Sequence, residues 1–295
     1  VKARIILAIC AVAAELFIEQ AAATGGNAIS YDKWSPLCDI RKNLASFYAP
    51  HKTALETALT HANDAEVHEY YLQVFTEMSA PEEVPNLLPL LAAFSKNTKL
   101  SAADVTTGVK SAVDAETATA YLHGRIAEFL SIAADAAAAG NAAGCLIDSG
   151  NTNPITSKAP IADCKLEPTA ARHGHPAGYE ATPAKLFGPD GAHTAAGTVT
   201  HANKDCKLTK AHSTGGLIGT NDAANEIEYA AGYFKVTSNT QDTGRTELGE
   251  FQPGQKGTTP KVFHQAKQAI HDYQQTALAQ AGEHTLPSAD DIKKN

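Results

Sequence analysis

The side chains best equipped for chemistry are few. Cysteines stand at Cys10, Cys38, Cys145, Cys164 and Cys206, and His173, His175, His193, His201 and His212 gather in one stretch. Thiolates and neutral imidazoles serve as zinc ligands and as nucleophile–base pairs. The spacing supports neither use. No C-x-x-C pair exists, only His173 and His175 are close, and no adjacent cysteine or carboxylate completes a metal set. His68-Glu69 lacks the second histidine of a zinc-protease helix. Ala211-His212-Ser213-Thr214-Gly215 resembles a nucleophile elbow but lacks its first glycine. Gly249 to Lys256 has two glycines at P-loop spacing. Gln255 then separates the second glycine from the lysine, and no Ser or Thr follows where magnesium would need it. The expectation is a protein that is not an enzyme, with no cofactor and no metal.

Cysteine parity points to structure instead. The first 23 residues have the form of a secretory signal. Lys2 and Arg4 make a basic start, Ile5 to Ala14 an apolar run, and Ala21-Ala22-Ala23 a small-residue cleavage region. Cleavage after Ala23 removes Cys10 and leaves Cys38, Cys145, Cys164 and Cys206. Four cysteines in a secreted chain predict two disulfides, with three pairings open. No N-x-[ST] sequon occurs. The formal net charge of −8 supplies no basic stripe to neutralise phosphates, so nucleic acid is not a partner. The composition, 43% hydrophobic but only 6% aromatic and rich in alanine, suits closely packed helices better than a sheet core.

The elements that must carry these cysteines centre on Ser101 to Ala139. No proline interrupts Pro89 to Pro154, Ser101 and Asp104 form a capping box, and Gly140 stands where a C-terminal cap belongs. At 1.5 Å per residue the helix is roughly 58 Å long. Val105, Val109, Ala112, Thr119, Leu122, Ile126, Phe129 and Ala133 fall in steps averaging close to 3.5, the period of a left-handed supercoil, with Glu116 the one defect. Leu122, Ile126 and Phe129 are expected to be buried. Upstream, Trp34 lies in a short polar entry, and Pro36 is placed to start a helix reaching Met78, with Pro50 kinking or restarting it. Leu55, Leu59, Val67, Tyr71, Val74 and Met78 mark its stripe. Pro81, Pro85 and Pro89 make a turn region around a short apolar segment, Leu87 to Phe94. The long helix then returns antiparallel, giving a helical hairpin.

Past Gly140 the chain turns rich in Gly, Pro, Asn, Thr and His up to Pro260, too poor in apolar residues to hold a large core of its own. Ala223 to Ala231 reads as a short helical piece and Tyr233 to Val236 as a strand. Helical spacing returns from Lys261 to Ala281. The predicted architecture is all-α dominated: an elongated antiparallel helical hairpin, a coiled-coil rod at 36–140, with a loop-rich, disulfide-held head at 141–260 containing short strands and a further helix at 261–282.

Several segments taken in order resemble the N-terminal domain of trypanosome variant surface glycoproteins, of the class with an elongated helical-hairpin dimer. They are Trp34-Ser35-Pro36-Leu37-Cys38, the run Ala120 to Glu128, Gly144-Cys145-Leu146-Ile147-Asp148, Cys164-Lys165-Leu166 and Asp205-Cys206-Lys207-Leu208. His212 to Leu217 and Ala230-Ala231-Gly232-Tyr233 complete the set, so the likeness spans about residues 24–240. The resemblance implies the pairings Cys38–Cys164 and Cys145–Cys206. It implies a homodimeric coat glycoprotein at the outer face of the plasma membrane, anchored by a C-terminal glycolipid. Such a coat is a dense barrier whose exposed lobes vary and so evade host antibodies. The family's C-terminal domain and its hydrophobic anchor signal are expected to be absent from this chain. Relatives that act as receptors, or that bind a host serum protein, supply the rival function.

Overall fold

A computed structural model describes residues 26–45, 48–97, 100, 102–138, 143–164, 166, 187, 197–198, 200–210, 216–219, 223–237, 243–249, 251–257 and 259–280. Helices dominate it. In chain order they are α1 (Tyr31–Ala45), α2 (Tyr48–Met78), α3 (Val84–Asn97), α4 (Ala102–Asp135), α5 (Lys261–Gln274) and α6 (Ala277–Gln280). The strands are β1 (Gly26–Ile29), β2 (Gly197–Thr198), β3 (Thr200–Cys206), β4 (Ile227–Tyr229), β5 (Phe234–Val236) and β6 (Gly244–Arg245).

Helix α4 is the spine. Ala115, Thr119, Leu122, Ile126, Phe129, Leu130 and Ala133 are buried along one face, so Leu122, Ile126 and Phe129 lie where their spacing predicts. Thr119 is tolerated inside because its hydroxyl donates to the Ala115 carbonyl at 2.8 Å. Glu116 is half-buried. The helix ends at Asp135, before the alanines 136–139 that favour helix by propensity. Tertiary pairing overrides them: Ala138 N donates to Ala143 O at 2.9 Å, and Ala137 bridges Gly144. Ala139 and the expected cap at Gly140 lie outside the described residues.

The most extensive helical partner of α4 is α5, which buries Phe263, Ala266, Lys267, Ile270 and Tyr273 on one face. The two run antiparallel. Gly108, near the start of α4, has room only for hydrogen because a Cβ there would lie 2.6 Å from Leu278 Cδ2. At the opposite end Phe263 stacks near Tyr233 (6.0 Å), Tyr233 on Phe234 (4.9 Å) and Phe234 on Phe129 (5.5 Å). The expected single helix 261–281 breaks at Thr276. Its hydroxyl accepts from Ala279 N at 3.2 Å and so caps the start of α6.

The first helical stretch differs from expectation in two ways. Helix α1 starts at Tyr31, upstream of Pro36, because Ser30 O accepts from Lys33 N and Trp34 N and opens the turn early. The described helical residues run to Ala45 and resume at Tyr48, and residues 46–47 beside Pro50, where a kink or restart is expected, lie outside the described residues. Leu87 to Phe94 belongs to a full helix, α3, packed on α2. Helix α2 touches α4 over fewer positions than α5 or α1 does. Its apolar stripe of Leu59, Val67, Tyr71, Val74 and Met78 faces solvent.

The strands form two small antiparallel sheets, β1–β3 and the four-stranded β2–β6–β5–β4. The helical piece expected at 223–231 is instead β4 followed by a tight turn. Ile227 and Tyr229 pair across to Val236 and Phe234, and Ala230, Ala231 and Gly232 all take positive φ. Cross-strand pairing and a left-handed turn displace the helix that alanine would otherwise favour.

Candidate functional site

The four cysteines meet where α1 and the end of α4 join the sheets. Cys38 bonds Cys164 and Cys145 bonds Cys206, each with Cα atoms 4.8 Å apart. Strand β1 organises the second bond. Its Gly26 pairs with Cys206 on one edge, and on the other Ile29 N donates to Cys145 O at 2.8 Å while Ile147 N returns to Ile29 O at 3.0 Å. The disulfide joins the two chain segments that hydrogen-bond to β1. Gly26 is needed for that approach, since a Cβ there would sit 2.9 Å from Cys206 O. Thr209 locks the corner, its hydroxyl donating to Asn27 O at 2.6 Å.

Helix α1 supplies the other anchor. Cys38 and Arg41 lie three residues apart on one face. Arg41, fully buried, donates through Nη1 to Cys164 O at 2.6 Å, so one helix face holds both the sulfur and the backbone of the same partner residue. Trp34 is a buried core anchor whose indole N–H donates to Ile147 O at 2.8 Å. The first turn of α1 meets the loop after β1's neighbour, where Tyr31 N donates to Asn151 Oδ1 at 3.2 Å.

The groups with displaced acidities are structural. Asp148 is held below the usual carboxylate range, first by the N–H of Thr152 and then by that of Asn153, at 3.0 and 3.3 Å. Burial pushes Tyr229 up to about 12, and also raises Tyr233 and Tyr273. Tyr229 and Phe234 pack on Phe129 at 5.2 and 5.5 Å, and Phe187 meets Phe263 at 6.2 Å. The aromatics of the small sheets are spent on seating them against α4 and α5.

His201 lies on β3, while Ala23, His173, His175, His193 and His212 lie outside the described residues. Among the described residues no group of three or more His, Cys, Asp or Glu side chains is placed to hold a metal. His68 and Glu69 sit on α2, where the buried Glu69 accepts from Gln73 Nε2 at 3.2 Å. Of the stretch Gly249–Lys256, residues 251–256 form a turn docked on α5, and Glu250 lies outside the described residues. Gly254 N donates to Gln268 Oε1 at 2.7 Å, so the amide a phosphate would need is already used. A groove of about 330 Å³ runs between α4 and α5, lined by Ser111, Asp114, His264, Gln265, Gln268, Ala269 and Asp272. Its Gln268 donates to Asp272 at 2.7 Å. Sequence reasoning missed Arg41 and Thr209, and no local signal marks either, because each is fixed by a partner more than a hundred residues away. No described helix is long and apolar enough to cross a membrane.

Comparison with known proteins places this architecture. The model of the trypanosome variant surface glycoprotein family, A type, matches residues 6–294. Variant surface glycoprotein MITAT 1.6 of Trypanosoma brucei brucei is 31% identical over 168 residues, covering 54% of this chain and 32% of that protein. Variant surface glycoprotein MITAT 1.2 of the same organism is 24% identical over 245 residues, covering 80% of this chain and 50% of that protein. The chain thus spans half or less of the length of these curated relatives. The solved structure of MITat 1.1 superposes with a TM-score of 0.66 at 19% identity, over 92% of this chain and 76% of that one, a likeness of fold.

Proposed function

The chain belongs to the A-type trypanosome variant surface glycoprotein family, and we propose that it serves as a coat protein on the outer face of the cell. It acts there as a physical barrier with no catalytic step. The observation that carries this reading is the family match across residues 6–294. A division of labour supports it: the aromatic side chains of the small sheets are buried in joining them to α4 and α5, and two disulfides secure the junction with α1 and the end of α4. In this reading residues 36–140 are a stand-off rod, 141–260 a variable head met by host antibodies, and 261–282 a bracing helix. Loops of such a head accept substitution because few of their side chains support the core. Anchoring by a C-terminal glycolipid and removal of residues 1–23 belong to the same proposal.

The reading includes a homodimer. On α4 the exposed Val113, Tyr121 and Ile132 share one outward face, within an arc of roughly 100°, and Gly124 on that face has open space beside it. Such a face suits an isologous contact with a second copy. Sedimentation of the intact protein and of Tyr121→Glu tests this. A dimer lost on substitution supports it, and a native monomer at micromolar concentration refutes it. The barrier role is tested by displaying the protein on cells and challenging it with antibodies and serum proteins. Antibodies mapping to 141–260 support the proposal. Specific, saturable, submicromolar capture of one host serum protein overturns it.

A further inference from the structure

The two disulfides sit in different electrostatic surroundings. Arg41 is fully buried, and its Nη1 donates to Cys164 O at 2.6 Å. Cys38, bonded to Cys164, lies one helical turn before Arg41 on the same face of α1. A residue's carbonyl oxygen and its sulfur lie within roughly 5 Å of each other. A permanent cation therefore stands beside the Cys38–Cys164 bond, where water screens it little. Burying a guanidinium is costly, and a neutral side chain could supply the hydrogen bond to Cys164 O. The carboxylates nearest in the chain stay at the surface: Asp39 is exposed and pairs with Lys42 at 3.4 Å, and Asp163 is exposed. At the other bond the cation adjacent to Cys206, Lys207, is exposed and paired with Asp205 at 3.1 Å.

The four cysteines are also unequally reachable. Cys38 keeps 7% of its surface, against 1% for Cys164, 2% for Cys145 and 1% for Cys206. A thiolate arriving from solvent therefore meets Cys38 Sγ first. Attack there forms a new S–S bond to Cys38 and expels Cys164 Sγ with the electron pair of the old bond. The expelled thiolate is the one beside Arg41. A thiolate favoured by a neighbouring cation leaves faster, and favouring the reduced form makes the bond easier to reduce. The second thiol of a dithiol, as its thiolate, then displaces Cys38, which departs as a thiolate in its turn. Two electrons have passed to the two cysteine sulfurs, and the reductant leaves as a disulfide.

We propose that Cys38–Cys164 is a redox-labile bond whose lability is set by Arg41, while Cys145–Cys206 is the permanent one. A small dithiol opens the first and leaves the second closed. Opening it releases α1 from Cys164, while β1 stays hydrogen-bonded between residues 145–147 and β3. The helix that places Trp34, Leu37, Ile40 and Leu44 in the core thereby loses its covalent tether to residues 159–164. The inference goes beyond the barrier reading and does not rest on it.

The test equilibrates the intact protein with reduced and oxidised dithiothreitol at stepped ratios, then identifies free cysteines by alkylation and peptide mapping. Cys38 and Cys164 should appear together, with an equilibrium constant for reduction at least about tenfold above that of Cys145 and Cys206. Arg41→Gln keeps a donor for Cys164 O and removes the charge, and should lower that constant by at least about tenfold. A purely structural role for Arg41 predicts the opposite sign, because a loosened junction is reduced more readily. A glutamine variant reduced as easily as the native protein, or more easily, overturns the proposal. The native protein alone supplies a second readout. With only this bond opened, iodoacetamide should alkylate Cys164 with a midpoint at lower pH than an ordinary cysteine. A midpoint at or above the ordinary one overturns the proposal, as does reduction of Cys145–Cys206 first or at the same ratio.

Discussion

Helices α2 and α4 are the two longest described helices, and each carries an apolar stripe near a 3.5-residue period. In α4 that stripe is the core: Leu122, Ile126 and Leu130 are fully buried beneath α5, α1 and the small sheets. In α2 the matching line is the surface. Periodicity therefore identifies a helix with one sticky side, and says nothing about whether this chain supplies what sticks to it. The supply is uneven here. Phe129 alone is met by Tyr229 and Phe234, whereas the exposed line of α2 meets no described element.

The largest contrast should appear on reduction. Both disulfides lie where α1 and the end of α4 meet the sheets, and they close sequence separations of 126 and 61 residues. In the chain-entropy account each is worth about 4–5 kcal/mol. Reduced protein should show fast hydrogen exchange in α1, β1 and residues 143–164 first, with α2 amides unchanged. If α2 loosens equally early, the two helices share one cooperative unit and the comparison fails. Non-reducing peptide mapping should link Cys38 to Cys164 and Cys145 to Cys206.

Next comes a matched pair of truncations. Leu122→Ala removes a fully buried side chain and should cost about 2–5 kcal/mol in denaturant unfolding. Val74→Ala sits in the same sort of stripe but is half exposed, and should fall within about 0.5 kcal/mol of zero. Equal costs would mean that the α2 line is covered in solution, which sharpens the search for its occupant. A smaller effect is expected at the far end of α4. Gly108→Val drives two methyls into Leu278 and should cost about 1–3 kcal/mol by overpacking, with α6 the element displaced.

These sites also explain which parts of the fold could be read from sequence. The burial of Leu122, Ile126 and Phe129 was legible because spacing alone sets a helix face. The outward aim of Tyr71 and Met78 was not, because orientation depends on neighbours. The stops at Asp135 and before Thr276 are decided by a bridge to Gly144 and by a hydroxyl cap, each competing with strong helical propensity. The sheet junction is the least legible part. Cysteine parity announces two bonds. Their geometry rests on β1 lying between residues 145–147 and β3, a contact of high sequence separation that leaves no periodic trace. The helical piece expected at Ala223 to Ala231 failed for a related reason: its last two alanines occupy a conformation alanine disfavours.

That conformation supplies the smallest effect and the finest probe of the α4 side. Ala230, Ala231 and Gly232 have φ of 47°, 60° and 89°, and this turn packs directly on α4 before Tyr233 and Phe234 enter the core. A left-handed residue other than glycine costs roughly 1–2 kcal/mol. Replacing Ala231 by glycine relieves that cost but frees the unfolded chain, which offsets part of the gain. The native ring contacts among Phe129, Tyr229 and Phe234 are untouched by the change. Ala231→Gly should therefore be neutral or up to about 1 kcal/mol more stable, whereas Ala231→Val, β-branched and unable to take φ near 60° without strain, should be destabilised. The two variants differ only at a turn seated on α4, so opposite signs in their melting shifts would show that the seat, and not alanine's helical propensity, fixes this backbone. Shifts of the same sign would mean that the strain is not set by packing on α4, and the distinction between a supported and an unsupported helix would lose its best local witness.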